Sequence, residues 1–145
     1  MRIVAGISLV CLSQERALTF LYRKRDCQLS CTGGAAIAQG AALLDRMLEE
    51  HPDTDALFFC NDDLALGALF RCLRRGIAVP EQLALAGFND PPASAWTTPA
   101  LSTVATPRYQ VGRDSAAMLL ELMAGREPEM PRKDLGFTLH VRETR

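Results

Sequence analysis

Short apolar runs alternate with longer amphipathic stretches along most of this chain, and that alternation restricts its fold more than any other feature. The runs at residues 3–12, 56–60 and 83–88 predict buried strands, because each is short, continuous and bounded by polar or turn-forming residues. Further strands are predicted at residues 27–32, 101–106 and 135–141, helices at residues 13–25, 35–50, 62–75 and 109–124, and a loop at residues 89–99. Strands that alternate with helices predict an α/β fold, an open parallel sheet flanked by helices on both faces.

Size and composition fit a single packed domain over residues 1–145. Hydrophobic residues make up 48% of the chain and charged residues 23%, so a core can form and disorder is not expected. The net charge of −1 lacks the basic surplus with which proteins grip DNA phosphates. No stretch approaches the roughly 20 apolar residues of a membrane span, and residues 3–12 have no signal-peptide cleavage site after them. We therefore expect a cytoplasmic protein that does not contact membranes.

Cysteine and histidine positions give no metal-binding pattern. Cysteines stand at positions 11, 27, 31, 60 and 72, and none of them belongs to a CxxC pair. His51 and His140 lie in unrelated contexts, so we expect reduced thiols and no metal site. No GxSxG, HExxH or phosphate-binding loop is present, and Asp62 and Asp63 are neighbours rather than a facing pair. The sequence therefore predicts no enzymatic activity and no cofactor.

Two of the predicted strands end in asparagine, at the place where open parallel sheets bind their ligands. Asn61 follows the run at residues 56–60, and it caps the next helix, presents its amide to a polar ligand, or does both. Asn89 follows the next apolar run, and it forms an Asx turn ahead of the prolines or hydrogen-bonds ligand hydroxyls. Trp96, in the same loop, stacks on a sugar ring, packs at a dimer contact or anchors the loop.

Residues 58–90 carry several motifs in a fixed order. The motifs are Asn61-Asp62, Ala-Leu-Gly-Ala at residues 65–68, Gly76 followed by Val79-Pro80, and Gly87-Phe88-Asn89, with Pro-Ala-Leu-Ser-Thr-Val following at residues 99–104. Together they resemble the LacI/GalR family of transcriptional regulators. Residues 106–108 and 134–137 are similar to the gluconate-operon repressor branch of that family. The match is strong over residues 55–145 and weak over residues 1–54, which look shortened around residues 23–35.

The resemblance implies the C-terminal, effector-binding part of such a regulator. Its expected architecture is half of a type I periplasmic-binding-protein-like fold, the C-terminal subdomain plus a crossover helix, without the helix-turn-helix head. The implied partners are a sugar or sugar-acid effector, with gluconate first, a second copy in a homodimer, and DNA only through the missing head. The family places the helix at residues 109–124 in the N-terminal subdomain, so we expect it to be exposed, dimer-buried or repacked.

Three effector contacts follow from the resemblance, residue by residue. Asn61 matches an effector-contacting asparagine of the family. Asn89 stands where the family often has an effector-contacting aspartate, and the amide suits an anionic ligand such as a sugar acid better than a carboxylate would. Arg16 falls near a family arginine that binds effector hydroxyls or carboxylates.

Other functional classes remain open at this point. A stand-alone sugar-binding protein of the periplasmic type shares the expected fold, but it needs a signal peptide and two lobes. An α/β enzyme on a similar sheet needs a nucleophile or a metal at the strand tips. A truncated reading frame is compatible with the shortened residues 1–54, and upstream DNA that encodes a helix-turn-helix in frame would support a misassigned start.

Overall fold

The computed structural model describes residues 36–145 and, as backbone, the strands Ala17–Leu21 and Gln28–Cys31. The elements, in chain order, are β1 (Ala17–Leu21), β2 (Gln28–Cys31), α1 (Ala36–Glu50), β3 (Ala56–Phe59), α2 (Asp62–Arg75), β4 (Ala84–Phe88), α3 (Pro92–Trp96), β5 (Ser102–Ala105), α4 (Arg108–Met123) and β6 (Thr138–His140). The α/β class predicted from the sequence is confirmed.

All six described strands form one sheet in the order β2-β1-β3-β4-β5-β6. The central strands β3, β4 and β5 run parallel, as predicted for strands joined by crossover segments. The sheet as a whole is mixed rather than parallel throughout, because β1, β2 and β6 pair antiparallel with their neighbours. Antiparallel strands at the edges of a largely parallel core are common in sheets of this size.

One helix prediction is wrong, and one loop contains more structure than predicted. The pattern at residues 13–25 predicts a helix, but Ala17–Leu21 is a strand that pairs with both β2 and β3. Pairing on both sides satisfies the backbone groups of this segment, which outweighs its local helical pattern. The predicted loop at residues 89–99 includes the short helix Pro92–Trp96. The strand predicted at residues 3–12 lies outside the described residues.

The buried core lies between the sheet and the pair α1 and α2. Leu57, Phe59 and Leu85 are buried, whereas the residues that alternate with them, such as Phe58 and Ala86, are half-buried and point to the opposite face of the sheet. Their helical partners in the core include Leu43, Leu44 and Met47 of α1 and Leu64, Ala65, Ala68 and Leu69 of α2.

Two glycines let α1 and α2 approach at backbone distance. A side chain at Gly40 would collide with the Leu64 backbone, and one at Gly67 would collide with the Ile37 backbone. Beside this contact, Asp45 of α1 accepts hydrogen bonds from Arg71 and Arg75 of α2 at 2.8–3.0 Å. The Arg71 hydrogen bond holds the pKa of Asp45 below its ordinary value, with Arg75 adding to the effect.

Both ends of α2 are as the sequence predicts. The Asn61 side chain accepts a hydrogen bond from the Leu64 N–H at 2.9 Å and so caps the first turn. Gly76 ends the helix with φ 67°, the left-handed conformation that glycine adopts without a steric penalty.

Helix α4 has a different environment, because none of its residues is buried. Within the single chain its apolar side chains are exposed, those of Tyr109, Leu120 and Met123 among the most exposed of the described residues. Within the described part of the chain, no helix is both long enough and apolar enough to cross a bilayer.

Candidate functional site

Asn61 and Asn89 each follow a strand at the carboxyl edge of the parallel core. Asn61 follows β3 and Asn89 follows β4, two strands that are direct neighbours with Phe58 opposite Ala86. The same register continued past the strand ends aligns the two asparagines, and neighbouring strands are only about 4.8 Å apart. Both residues are half-buried, so neither is sealed beneath other side chains.

The Asn61 side chain has a structural role that leaves part of it available. Its Oδ1 is occupied by the Leu64 N–H of the cap. Its amide nitrogen donates to no acceptor within the described residues, so two N–H groups remain for a ligand. Capping and ligand binding, which the sequence left as alternatives, are therefore compatible in this geometry.

The backbone of Asn89 turns sharply at the end of β4. Its N–H still donates to the Val104 carbonyl of β5 at 2.8 Å, which continues the sheet. Its φ of 111° and the φ of 50° at Asp90 are both positive, a conformation in which asparagine and aspartate are several-fold enriched. Two successive residues of this kind direct the chain away from the sheet, toward Pro91 and α3.

A charged cluster beside this turn was not found by sequence reasoning. Arg142 donates to Asp90 Oδ1 at 2.7 Å, and His140 Nε2 lies 3.6 Å from Asp90 Oδ2. No local pattern could have revealed it, because 52 residues separate Asp90 from Arg142.

Asp62, in the first turn of α2, is buried. It is only 2% exposed and accepts hydrogen bonds from the hydroxyls of Ser94 in α3 and Thr103 in β5, at 2.7–2.9 Å. A side chain at Gly87 would collide with its carboxylate. Asp62 thus joins the first turn of α2 to the two segments that flank Asn89 in space.

The remaining two candidate residues are not brought into this arrangement. Trp96 is 87% exposed at the end of α3, so it does not anchor its loop by packing within the described structure. Stacking on a ligand and contact with a second copy stay open for it. Arg16 lies outside the described residues.

The described residues offer no evident chemistry beyond binding. No group of three metal-ligating side chains occurs among them. Cys72 is buried in the core, and burial raises the pKa of its thiol to about 11, so the reactive thiolate is scarce at neutral pH. The candidate site is a set of hydrogen-bonding groups at the carboxyl edge of the parallel strands.

Comparison with known proteins gives a consistent family. Residues 10–145 match the model of the periplasmic binding protein-like domain. Over 110 residues the chain is 49% identical to the HTH-type transcriptional regulator GntR of Pseudomonas aeruginosa, an alignment that covers 76% of this chain and 32% of that protein. The chain is 38% identical to the HTH-type transcriptional regulator IdnR of Escherichia coli, an alignment that covers 73% of this chain and 32% of that protein.

Solved structures show the same relationship. The crystal structure of transcription regulator GntR from Chromobacterium violaceum superimposes with a TM-score of 0.70 at 55% identity, covering 78% of this chain and 41% of that one. A complex of transcriptional regulator CelR with cellobiose superimposes with a TM-score of 0.69 at 31% identity, covering 74% of this chain and 33% of that one. The chain spans about a third of the length of the curated relatives, which are HTH-type transcriptional regulators. The resemblance stated from the sequence motifs is confirmed.

Proposed function

This chain belongs to the family of periplasmic binding protein-like domains, and we propose that it is the effector-sensing part of a LacI-type transcriptional regulator of carbohydrate or sugar-acid metabolism. In such a regulator the effector shifts the balance between two conformations by binding one of them more tightly. The names of the relatives support the regulator class, and the CelR–cellobiose complex supports a sugar-like effector.

One observation carries the proposal: the tips of two adjacent parallel strands present asparagines at the same edge. Asn61 and Asn89 are aligned by the register of β3 and β4, and both are half-buried. Amide groups can donate to and accept from the hydroxyls of a polyol, which suits a carbohydrate. Arg16 and Trp96 stay in the proposal as further candidate contacts.

The ligand we propose first is gluconate. Asn89 occupies the position where the family often has aspartate, and a neutral amide does not repel a carboxylate on the ligand. The proposal therefore predicts a preference for a sugar acid over the corresponding neutral sugar.

Isothermal titration calorimetry and thermal shift with gluconate and glucose test this proposal on the 145-residue chain. Asn89→Asp should weaken gluconate binding about tenfold and leave glucose binding unchanged or stronger, since only gluconate meets a like charge. Asn61→Asp is the second variant in the same titrations, because aspartate still caps α2 while it replaces the side-chain amide proposed to contact the ligand. Absence of binding and of thermal shift with gluconate and every common sugar would overturn the proposal.

The proposal also fixes expectations about partners. With a net charge of −1, the 145-residue chain should not bind operator DNA by itself. A gel shift that is sequence-specific and salt-sensitive would contradict this. We further propose a cytoplasmic homodimer, supported by the exposed apolar side chains of α4, which analytical ultracentrifugation can test.

A further inference from the structure

We infer that Arg142 is the positioning residue for Asn89: it holds the turn after β4 through Asp90 and thereby sets the direction in which the Asn89 amide faces a ligand. The inference rests on the proposed function, and it adds a residue that lies outside the strand tips. Arg142 would contact no ligand itself.

The turn after β4 needs an outside contact to keep its conformation. Asn89 and Asp90 both have positive φ, at 111° and 50°, and neither is glycine. Such a backbone persists only where surrounding contacts determine it, and residues of this kind cluster at ligand-binding positions. Without an external contact, the Asn89 side chain would sample several directions as the turn relaxes.

Arg142 supplies this contact from a fixed position. One guanidinium nitrogen donates to Asp90 Oδ1 at 2.7 Å, and another donates to the Leu101 carbonyl at 2.8 Å. The backbone N–H of Arg142 also donates to Ser102 Oγ at 2.9 Å. The side chains of Arg142 and Asp90 are only 18% and 19% exposed, so the pair is shielded from most of the solvent.

The segment that carries Arg142 is itself hydrogen-bonded to the sheet. Two residues further on, the buried Thr144 accepts from the Ser102 N–H at 2.8 Å and donates to the Leu85 carbonyl at 2.7 Å. The Thr144 carbonyl accepts from the Leu85 N–H at 2.8 Å as well. The segment that carries Arg142 is therefore fixed by hydrogen bonds to both β4 and β5.

The planar guanidinium group of arginine can bond to Asp90 and Leu101 at the same time, which lysine cannot do as well. Two acceptors from different segments, Asp90 and Leu101, are reached by two nitrogens of one rigid group. A lysine ammonium is a single point on a flexible stem, so it would engage one acceptor without fixing the other. Arg142→Lys should therefore be only a partial replacement.

The test compares Arg142→Gln with Arg71→Gln, each of which removes one guanidinium–carboxylate pair. The Arg71–Asp45 pair lies between α1 and α2, away from the strand tips. Calorimetry with gluconate should show about tenfold weaker binding for Arg142→Gln, an intermediate loss for Arg142→Lys, and unchanged affinity for Arg71→Gln. Equal gluconate affinities in folded wild type and Arg142→Gln would overturn the inference.

Nuclear magnetic resonance without any ligand separates this inference from the proposed function. The coupling between the amide proton and Hα of Asn89 reports its φ, and the side-chain amide signals report its surroundings. Both should change in Arg142→Gln and stay as in the wild type in Arg71→Gln. If the wild type binds no sugar or sugar acid but these signals change as expected, the proposed function fails and the positioning role stands. Unchanged Asn89 signals in Arg142→Gln would contradict the positioning role.

Asp90→Asn provides a second variant in case Arg142→Gln does not fold. It keeps the shape of the side chain and removes the charge that Arg142 holds. Because Arg142 is inferred to act through Asp90, the Arg142→Lys exchange should cost little further gluconate affinity in the Asp90→Asn background. Fully additive losses would show that the two residues act separately and would overturn the inference.

Discussion

Helices α2 and α4 are close in length, at 14 and 16 residues, yet they occupy opposite environments. Eight residues of α2 are buried, whereas none of α4 is. Helix α4 is not polar, since Leu119, Leu120 and Leu122 are each more than half exposed. Apolar side chains therefore allow a helix to be buried, but burial also requires another surface of the protein that packs against the helix.

Helix α2 packs against α1, the sheet and α3. Gly67 lets α1 approach, the sheet covers the opposite side, and Asp62 at its first turn bonds to α3 and β5. In α4, by contrast, a methyl group added at Gly112 would meet no neighbouring atom within 4 Å. The following variants test this contrast in pairs.

The largest effect is expected from truncating a leucine in each helix. Leu69→Ala in α2 should lower the free energy of unfolding by about 2–5 kcal/mol, because Leu69 is fully buried and its loss leaves a cavity. Leu120→Ala in α4 should change it by less than about 0.5 kcal/mol in protein dilute enough to be monomeric, because Leu120 is 66% exposed in the single chain. Chemical denaturation of dilute protein measures both. A large loss for Leu120→Ala in the monomer would mean that α4 is covered within the single chain and would erase the contrast.

A matched pair of glycines sharpens the same comparison. Gly67→Ala should destabilise by about 3 kcal/mol, because the added methyl meets the Ile37 backbone, which cannot rotate away. Gly112→Ala should stabilise by about 0.5–1 kcal/mol, because alanine has the higher helix propensity and the space is open. Thermal unfolding followed by circular dichroism measures both signs. Equal signs for the two variants would contradict the close helix contact.

Removing one hydroxyl from the buried network at the start of α2 should have a smaller effect. Thr103→Val keeps the shape of the side chain but removes the hydrogen bonds to Asp62 at 2.7 and 2.9 Å. We expect a loss of about 1–2 kcal/mol in the free energy of unfolding, since Asp62 is buried and keeps the Ser94 hydroxyl. Thr138→Val, on the exposed β6, is the control in urea denaturation. Equal losses for the two variants would argue against a special role for Asp62.

The smallest effect on stability is expected at the charged group of α4. The hydrogen bond from Lys133 lowers the pKa of Asp114 from its ordinary value of 3.8 to about 2, with Gln110 adding to the shift. A lowered folded-state pKa stabilises the protein above the ordinary value, and that contribution disappears as the pH falls through about 2. In an NMR titration, Lys133→Met should move the Asp114 midpoint upward while the melting temperature at pH 7 hardly changes. An unmoved midpoint would contradict the pairing.

Several elements could be predicted because their signals are local. Helix α2 begins at Asp62 and ends at Arg75, the bounds predicted from the capping asparagine before it and the glycine after it. The strands β3 and β4 follow from short apolar runs, and β2 from a weaker one. That Asn61 and Asn89 follow neighbouring parallel strands at the same edge was also predictable, since both strands end in asparagine.

The structural features that the sequence did not predict depend on residues far away in the chain. Ala17–Leu21 is a strand because β2 and β3 flank it, a fact that its own residues do not encode. The burial of Asp62 could not be predicted, because its partners, Ser94 and Thr103, lie 32 and 41 positions away. Arg142 gave no local signal at all, and its contact with Asp90 exists only in the folded chain.

Local signals in the sequence were enough to predict the α/β class, the ends of α2, the family resemblance and the two strands that end in asparagine, because propensity, capping and periodicity act over a few residues. The folded chain was needed to show that β1 is a strand, that Asp62 is buried, that Arg142 bonds to Asp90, and that the described residues bury no residue of α4. Burial and long-range hydrogen bonds depend on which surfaces meet, and that is set when segments far apart in the chain pack together.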